Sequence, residues 1–145
     1  TSALNPKLIK YSENTGCFYY NALGQGAMNT SLHYFTNAAE GYSTISGVKA
    51  SDFDLTDSDI YTVDVDWDKY KTNMFKVNIF DNSVTPFNLP SPPRFFGLSV
   101  KYHNSRLYVG ESMAPRMFVF DEATSAYLYY VNTGVNNVNT VVFVN

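Results

Sequence analysis

Arg106-Leu107-Tyr108-Val109-Gly110-Glu111-Ser112-Met113-Ala114-Pro115-Arg116-Met117-Phe118-Val119-Phe120-Asp121 is the stretch whose reading decides the fold. An apolar run, a small and polar turn holding Pro115, and a second run alternating at Met117 and Val119 between Phe residues spell a β-hairpin. The rest of the chain repeats it.

The repeat is clearest at the next turn. Phe35-Thr36-Asn37-Ala38-Ala39-Glu40-Gly41-Tyr42, Phe80-Asp81-Asn82-Ser83-Val84-Thr85-Pro86-Phe87 and Phe120-Asp121-Glu122-Ala123-Thr124-Ser125-Ala126-Tyr127 align with one another. Each has a Phe closing one strand, a polar turn, and an aromatic residue opening the next. Asp and Asn suit such turns because their side chains bond the backbone two residues on. Upstream of the turns lie Cys17-Phe18-Tyr19-Tyr20, Asp59-Ile60-Tyr61-Thr62-Val63 and Arg106-Leu107-Tyr108-Val109. Tyr19, Tyr61 and Tyr108 fall 42 and 47 residues apart, and the three turn Phe residues 45 and 40 apart. A period in the forties with four short strands per unit marks β-propeller blades. The spacing predicts an all-β chain of three four-stranded antiparallel units, with Phe35, Phe80 and Phe120 as buried equivalents.

The units run over 1–48, 49–93 and 94–134, and 135–145 supplies the inner strand of a partial or closing blade. In the first, Lys7–Tyr11 is the inner strand, followed by the Phe18 strand, Leu32–Phe35 and Tyr42–Ile45. The second has Phe53–Leu55, Ile60–Trp67, Met74–Phe80 and Val84–Leu89, and ends in Pro90-Ser91-Pro92-Pro93, a rigid connector poor in backbone donors. The third opens at Gly97-Leu98-Ser99-Val100, and Thr140–Val144 has the look of a fourth inner strand. No segment carries a helical period.

The 145 residues make one domain's worth of chain. Aromatic content of 17% against 16% charged residues favours a packed β-protein. A net charge of −3 without a Lys/Arg cluster speaks against nucleic-acid binding. No apolar run is long enough to span a membrane. The chain opens on Thr1 without a leader, as a processed or excised segment does. Cys17, the single cysteine, reads as a small buried hydrophobe. Asn29-Thr30-Ser31 is a glycosylation sequon, meaningful in a secreted chain.

Leu107-Tyr108-Val109, Ser112, Arg116 and Val119-Phe120-Asp121 together resemble the blade pattern of NHL-type and YVTN-type β-propeller repeats. Phe18–Leu23 with Thr30–Tyr34 also resembles a blade of the royal-jelly/yellow family. Both resemblances imply a propeller, and blade patterns of this kind serve many functions.

Three blades do not close a ring, which typically takes roughly four to eight. Either the chain belongs to a longer polypeptide or copies assemble, and two copies giving six blades is the simplest ring.

Two clusters could carry chemistry. Seven of nine aspartates lie between residues 52 and 68. Asp64, Asp66 and Asp68 resemble the start of a calcium loop, but Lys69 stands where such a loop needs Gly and Phe75 where it needs a bidentate Glu. The other reading is strand alternation, with Val63, Val65 and Trp67 on one side and the aspartates toward solvent or the channel. Arg94, Arg106, Arg116 and Trp67 are the candidate ligand-binding residues, the guanidinium groups suiting carboxylates or sugars; an arginine lying along a blade edge is the plainer reading. His33 and His103 sit in different units and read as structural. No nucleophile elbow, metal-spacing motif or phosphate loop occurs, so no catalytic residue is assigned. The expected function is a non-catalytic extracellular or cell-surface interaction domain binding protein or glycan through loops at one propeller end. A structural subunit of a filament or surface layer is the alternative. A lactonase, lyase or hydrolase with an incomplete site comes third.

Overall fold

The structure is a computed structural model that describes residues 5–24, 30–87, 89, 95–136, 138 and 141–144. Twelve strands form three four-stranded antiparallel sheets, each built from consecutive strands. The first holds β1 (Asn5–Ser12), β2 (Cys17–Leu23), β3 (Thr30–Phe35) and β4 (Ser43–Thr44). The second holds β5 (Asp52–Leu55), β6 (Asp59–Asp66), β7 (Lys71–Asn78) and β8 (Val84–Pro86). The third holds β9 (Gly97–His103), β10 (Arg106–Glu111), β11 (Arg116–Asp121) and β12 (Tyr127–Asn132). Among the described residues the only helical turn is a 3-10 turn, Ala38–Glu40, capped by the Asn37 side chain.

Each sheet has a rear face toward the sheet before it and a forward face toward the sheet after it, and the period of two sorts residues between them. Cys17, Tyr19 and Leu32 on the forward face of the first sheet meet Phe53, Ile60 and Val77 on the rear face of the second. Tyr61, Val63 and Met74 on the forward face of the second meet Val100, Leu107, Val109, Phe118 and Phe120 of the third. The middle sheet is therefore apolar on both faces, and seven of the eight β6 residues are buried. This is blade stacking.

Ladder registers confirm the tyrosine repeat. Lys10 pairs with Tyr19, Asp54 with Tyr61 and Lys101 with Tyr108, each across the innermost hairpin of its sheet. The three inner-strand charges meet between sheets. The Lys10 ammonium pairs with Asp54 Oδ1, and Lys101 Nζ lies 3.6 Å from the same oxygen. Asp54 Oδ2 and Asp52 Oδ2 accept the Tyr102 and Val100 amides at 2.7 and 3.0 Å. Burial pushes the Lys10 ammonium below its usual value and the Asp52 carboxyl above its own. These polar contacts fix the angle between neighbouring blades.

Three expectations change. Phe80 is 63% exposed, whereas Phe120 is fully buried. β7 ends at Asn78, whose carbonyl accepts the Asn82 amide and whose side chain accepts the Phe80 amide. That turn throws Phe80 outward, and Val77 fills the core place instead: Ile60 pairs with Val77 as Leu107 pairs with Phe120 and Phe18 with Phe35. Phe35 is only half-buried, because no sheet among the described residues covers its face. Last, residues 141–144 carry no strand. Phe143 stacks on His103 at 4.2 Å and meets Tyr108 edge-on at 4.8 Å, much as Tyr102 lies against Tyr61 at 6.2 Å. The segment thus sits where a following inner strand belongs, without a ladder among the described residues. The Gly-rich excursion, the sequon's Asn29 and the Pro90–Pro93 connector lie largely or wholly outside the described residues.

Candidate functional site

The β6–β7 turn (67–70), the β10–β11 turn (112–115) and the residues entering β9 lie together at one end of the sheets. Trp67 stacks on Phe96 with ring centroids 5.6 Å apart and planes 7° from parallel. The Ser112 amide donates to the Phe96 carbonyl at 2.9 Å, tying the third sheet's turn to that pair. Trp67, Tyr70 and Met113 are 38%, 62% and 66% exposed. This end of the sheets thus exposes an indole and a phenol on one turn and a thioether on another, side chains of the type enriched at interfaces.

The turn holding Trp67 is built by its neighbours. The Asp66 carboxylate accepts the Lys69 amide at 3.1 Å, which holds its carboxyl below the usual carboxylate range, and Lys69 Nζ lies 3.5 Å away. Tyr70 closes the turn at φ 50°, a left-handed conformation that a side chain makes costly. A strained, exposed tyrosine beside an exposed tryptophan is a feature stability alone does not select.

The remaining sequence-predicted residues are distributed more widely. Asp64, expected to face solvent or the channel, is buried between the first two sheets, where its Oδ1 accepts the Thr30 and Ser51 hydroxyls at 2.8 and 2.6 Å. Asp66 is the turn cap just described, and Asp68 is exposed in the turn. The three do not converge, and no group of three or more His, Cys, Asp or Glu residues among those described is placed to hold a metal ion. Arg116 opens β11 at the Trp67 end, but its guanidinium is engaged: Nε and Nη2 donate to Glu111 at 2.9 and 3.2 Å, over the rings of Phe118 and Tyr130. Glu111 is only 2% exposed, so the pair satisfies a buried carboxylate. Arg106 lies at the opposite end, donating to the Tyr129 hydroxyl at 3.1 Å. Arg94 lies outside the described residues.

Two further networks are internal. Glu122 accepts from the Tyr61 hydroxyl and from Lys76 at 3.0 Å, joining the second and third sheets. Burial and that carboxylate push the Tyr61 phenol strongly up, while its hydroxyl holds Glu122 below its usual value. His33 lies between the Ser31 and Thr44 hydroxyls at 2.7 and 2.9 Å. Sequence reading missed Phe96 as the stacking partner of Trp67 and missed the exposed Tyr70 and Met113 at the same end, because nothing local distinguishes side chains that the fold brings to one end from those it does not.

No family model matches the chain, and no curated protein does. Among solved structures it is similar to one described as "Crystal structure of Nidogen/Laminin Complex", with a TM-score of 0.51, 7% identity, and coverage of 87% of this chain and 63% of that one. The chain thus spans less than two thirds of that chain's length. At this identity the likeness concerns the fold. That neighbour is a β-propeller, and the three sheets of this chain are β-propeller blades.

Proposed function

We propose that this chain is a non-catalytic interaction module of the extracellular space or cell surface, which binds a protein or glycan through the end that carries Trp67. The carrying observation is the Trp67–Phe96 stack with exposed Tyr70 on the same turn as Trp67 and exposed Met113 on the turn whose Ser112 amide bonds Phe96. Tryptophan and tyrosine are the side chains most often found at interface hot spots, and their faces also stack on sugars. The solved neighbour is described as a complex of two proteins, which supports a protein partner over a small substrate. The NHL- or YVTN-type reading of the blades is supported by the third sheet, where Tyr108 sits mid-strand, Arg116 opens β11 and Asp121 closes it.

A glycan array and a panel of immobilised matrix proteins, laminin included, test the reading. Binding to at least one ligand is expected, and Trp67→Ala should weaken it by roughly tenfold or more while leaving the melting temperature within a few degrees. Binding unaffected by Trp67→Ala, or turnover of a lactone or glycoside without stable binding, would contradict it. The structural-subunit reading is favoured by one observation, the exposed aromatic rear face of the first sheet.

A further inference from the structure

We propose that two copies of this chain pair, rear face to rear face, through the first sheet and about a two-fold axis. That face carries Ile9, Tyr11, Phe18, Tyr20, Phe35 and Tyr42. Their rings already form one network, with Tyr11–Phe18 at 4.8 Å, Phe18–Phe35 at 5.1 Å and Tyr20–Tyr42 at 6.3 Å. Ile9, Tyr11, Phe18 and Tyr42 are nevertheless 55%, 51%, 36% and 57% exposed. The equivalent positions in the other sheets, Ile60 with Val77 and Leu107 with Phe120, are completely buried by the sheet before them. The first sheet is therefore patterned for burial on a side where no described residue of its own chain buries it.

Charge decides which surface covers it. The ladder places no Lys, Arg, Asp or Glu among these rear-face positions: Lys10 faces forward to Asp54, and Lys7 reaches forward to the Ser51 carbonyl. The imidazole of His33, the titratable group amid these rings besides the tyrosines, is closed off by the Ser31 and Thr44 hydroxyls. The head-to-tail alternative is the forward face of the third sheet. By register that face carries Lys101, His103, Arg106 and Asp121 beside Tyr108. It is also already crossed by the chain, since Ser99 Oγ donates to the Val138 carbonyl at 2.7 Å and Phe143 covers His103 and Tyr108. Stacked there, a second copy would bring its Lys10 toward Lys101, where the two internal interfaces place Lys against Asp. An uncharged aromatic face meets its own copy without stranding a charge, and a surface that pairs with itself does so about a two-fold axis. Sheet faces packed in this way interdigitate across about 10 Å.

Sedimentation velocity on the full chain, over a range of concentrations, tests the proposal. A monomer–dimer equilibrium that stops at the dimer is expected. Tyr11→Lys with Phe18→Lys should abolish the dimer, while Val142→Lys, at the other end of the stack, leaves it intact. Should the double variant fail to fold, the unmodified protein still decides. Acetylation of Tyr11 and Tyr42 should fall several-fold as concentration rises through the dimer transition. A concentration-independent monomer, an open-ended ladder dissolved by Val142→Lys, or tyrosine reactivity that ignores concentration would each overturn it.

Discussion

Tyr70 shows how a single residue separates stability from recognition. Its φ of 50° suits glycine, so Tyr70→Gly relieves about 1 kcal/mol of backbone strain and gives back a similar amount in chain entropy. The expected outcome is a melting temperature changed by at most a few degrees together with a clear loss of ligand binding, read by calorimetry. His33 makes a different prediction at this scale. Burial lowers its folded value below the ordinary one near pH 6.5. The unfolded chain then takes up a proton that the folded chain resists, so the contribution is fully present above about pH 6.5 and is lost as pH falls below it. The melting temperature of the wild type should therefore drop more steeply between about pH 6.5 and 5 than that of His33→Gln. Equal slopes would remove His33 from the account.

Strands carry the second set of consequences. Phe120 is fully buried between the second and third sheets, and Phe80 projects from a turn. Phe120→Ala should cost roughly 3–5 kcal/mol in denaturant unfolding, and Phe80→Ala about 0.5 kcal/mol or less. Gly110 belongs to the same scale. A Cβ there would collide with the Val138 carbonyl oxygen and crowd Ser99. Gly110→Ala should therefore dislodge the C-terminal segment from the third sheet, which hydrogen exchange at the Val138 amide, now bonded to the Glu111 carbonyl at 3.0 Å, would report as lost protection. The strands were largely legible in the sequence because a period of two and recurring tyrosines survive without knowledge of the partner sheet. Phe80 was misplaced because Phe-Asp-Asn at 80–82 imitates Phe-Asp at 120–121, while the true strand end lies two residues earlier, where Asn78 bends the backbone. Asp64 was misplaced because alternation tells which face a residue takes and not whether another blade covers that face.

For the whole molecule, the number of blades followed from the repeat. The site did not, since Trp67, Phe96 and Met113 come from a turn of the second sheet, the segment entering β9 and a turn of the third sheet, which only blade stacking brings together. A bare end face was expected from the repeat, since three blades do not close a ring. That the first sheet's rear face is the aromatic one left open needed the structure, because it has the composition of a core strand and is distinguished only by the lack of a covering sheet among the described residues. These two surfaces lie at different places: the proposed recognition end at the β6–β7 and β10–β11 turns, the proposed self-association face on the rear of the first sheet. A dimer formed through the first sheet leaves the patch on the second and third sheets free, so association and recognition are expected to be separable by mutation.

Trp67 is the chain's single tryptophan, so its fluorescence reports the candidate site without labelling. Titrating the protein with whichever matrix protein or glycan it binds, while following indole emission and iodide quenching, is the most direct measurement. Binding is expected to move the emission to shorter wavelength and shield the indole from iodide, with the same midpoint as the calorimetric titration. Saturable binding that leaves both emission and quenching unchanged would contradict it, because the ligand would then be seated away from the Trp67 end.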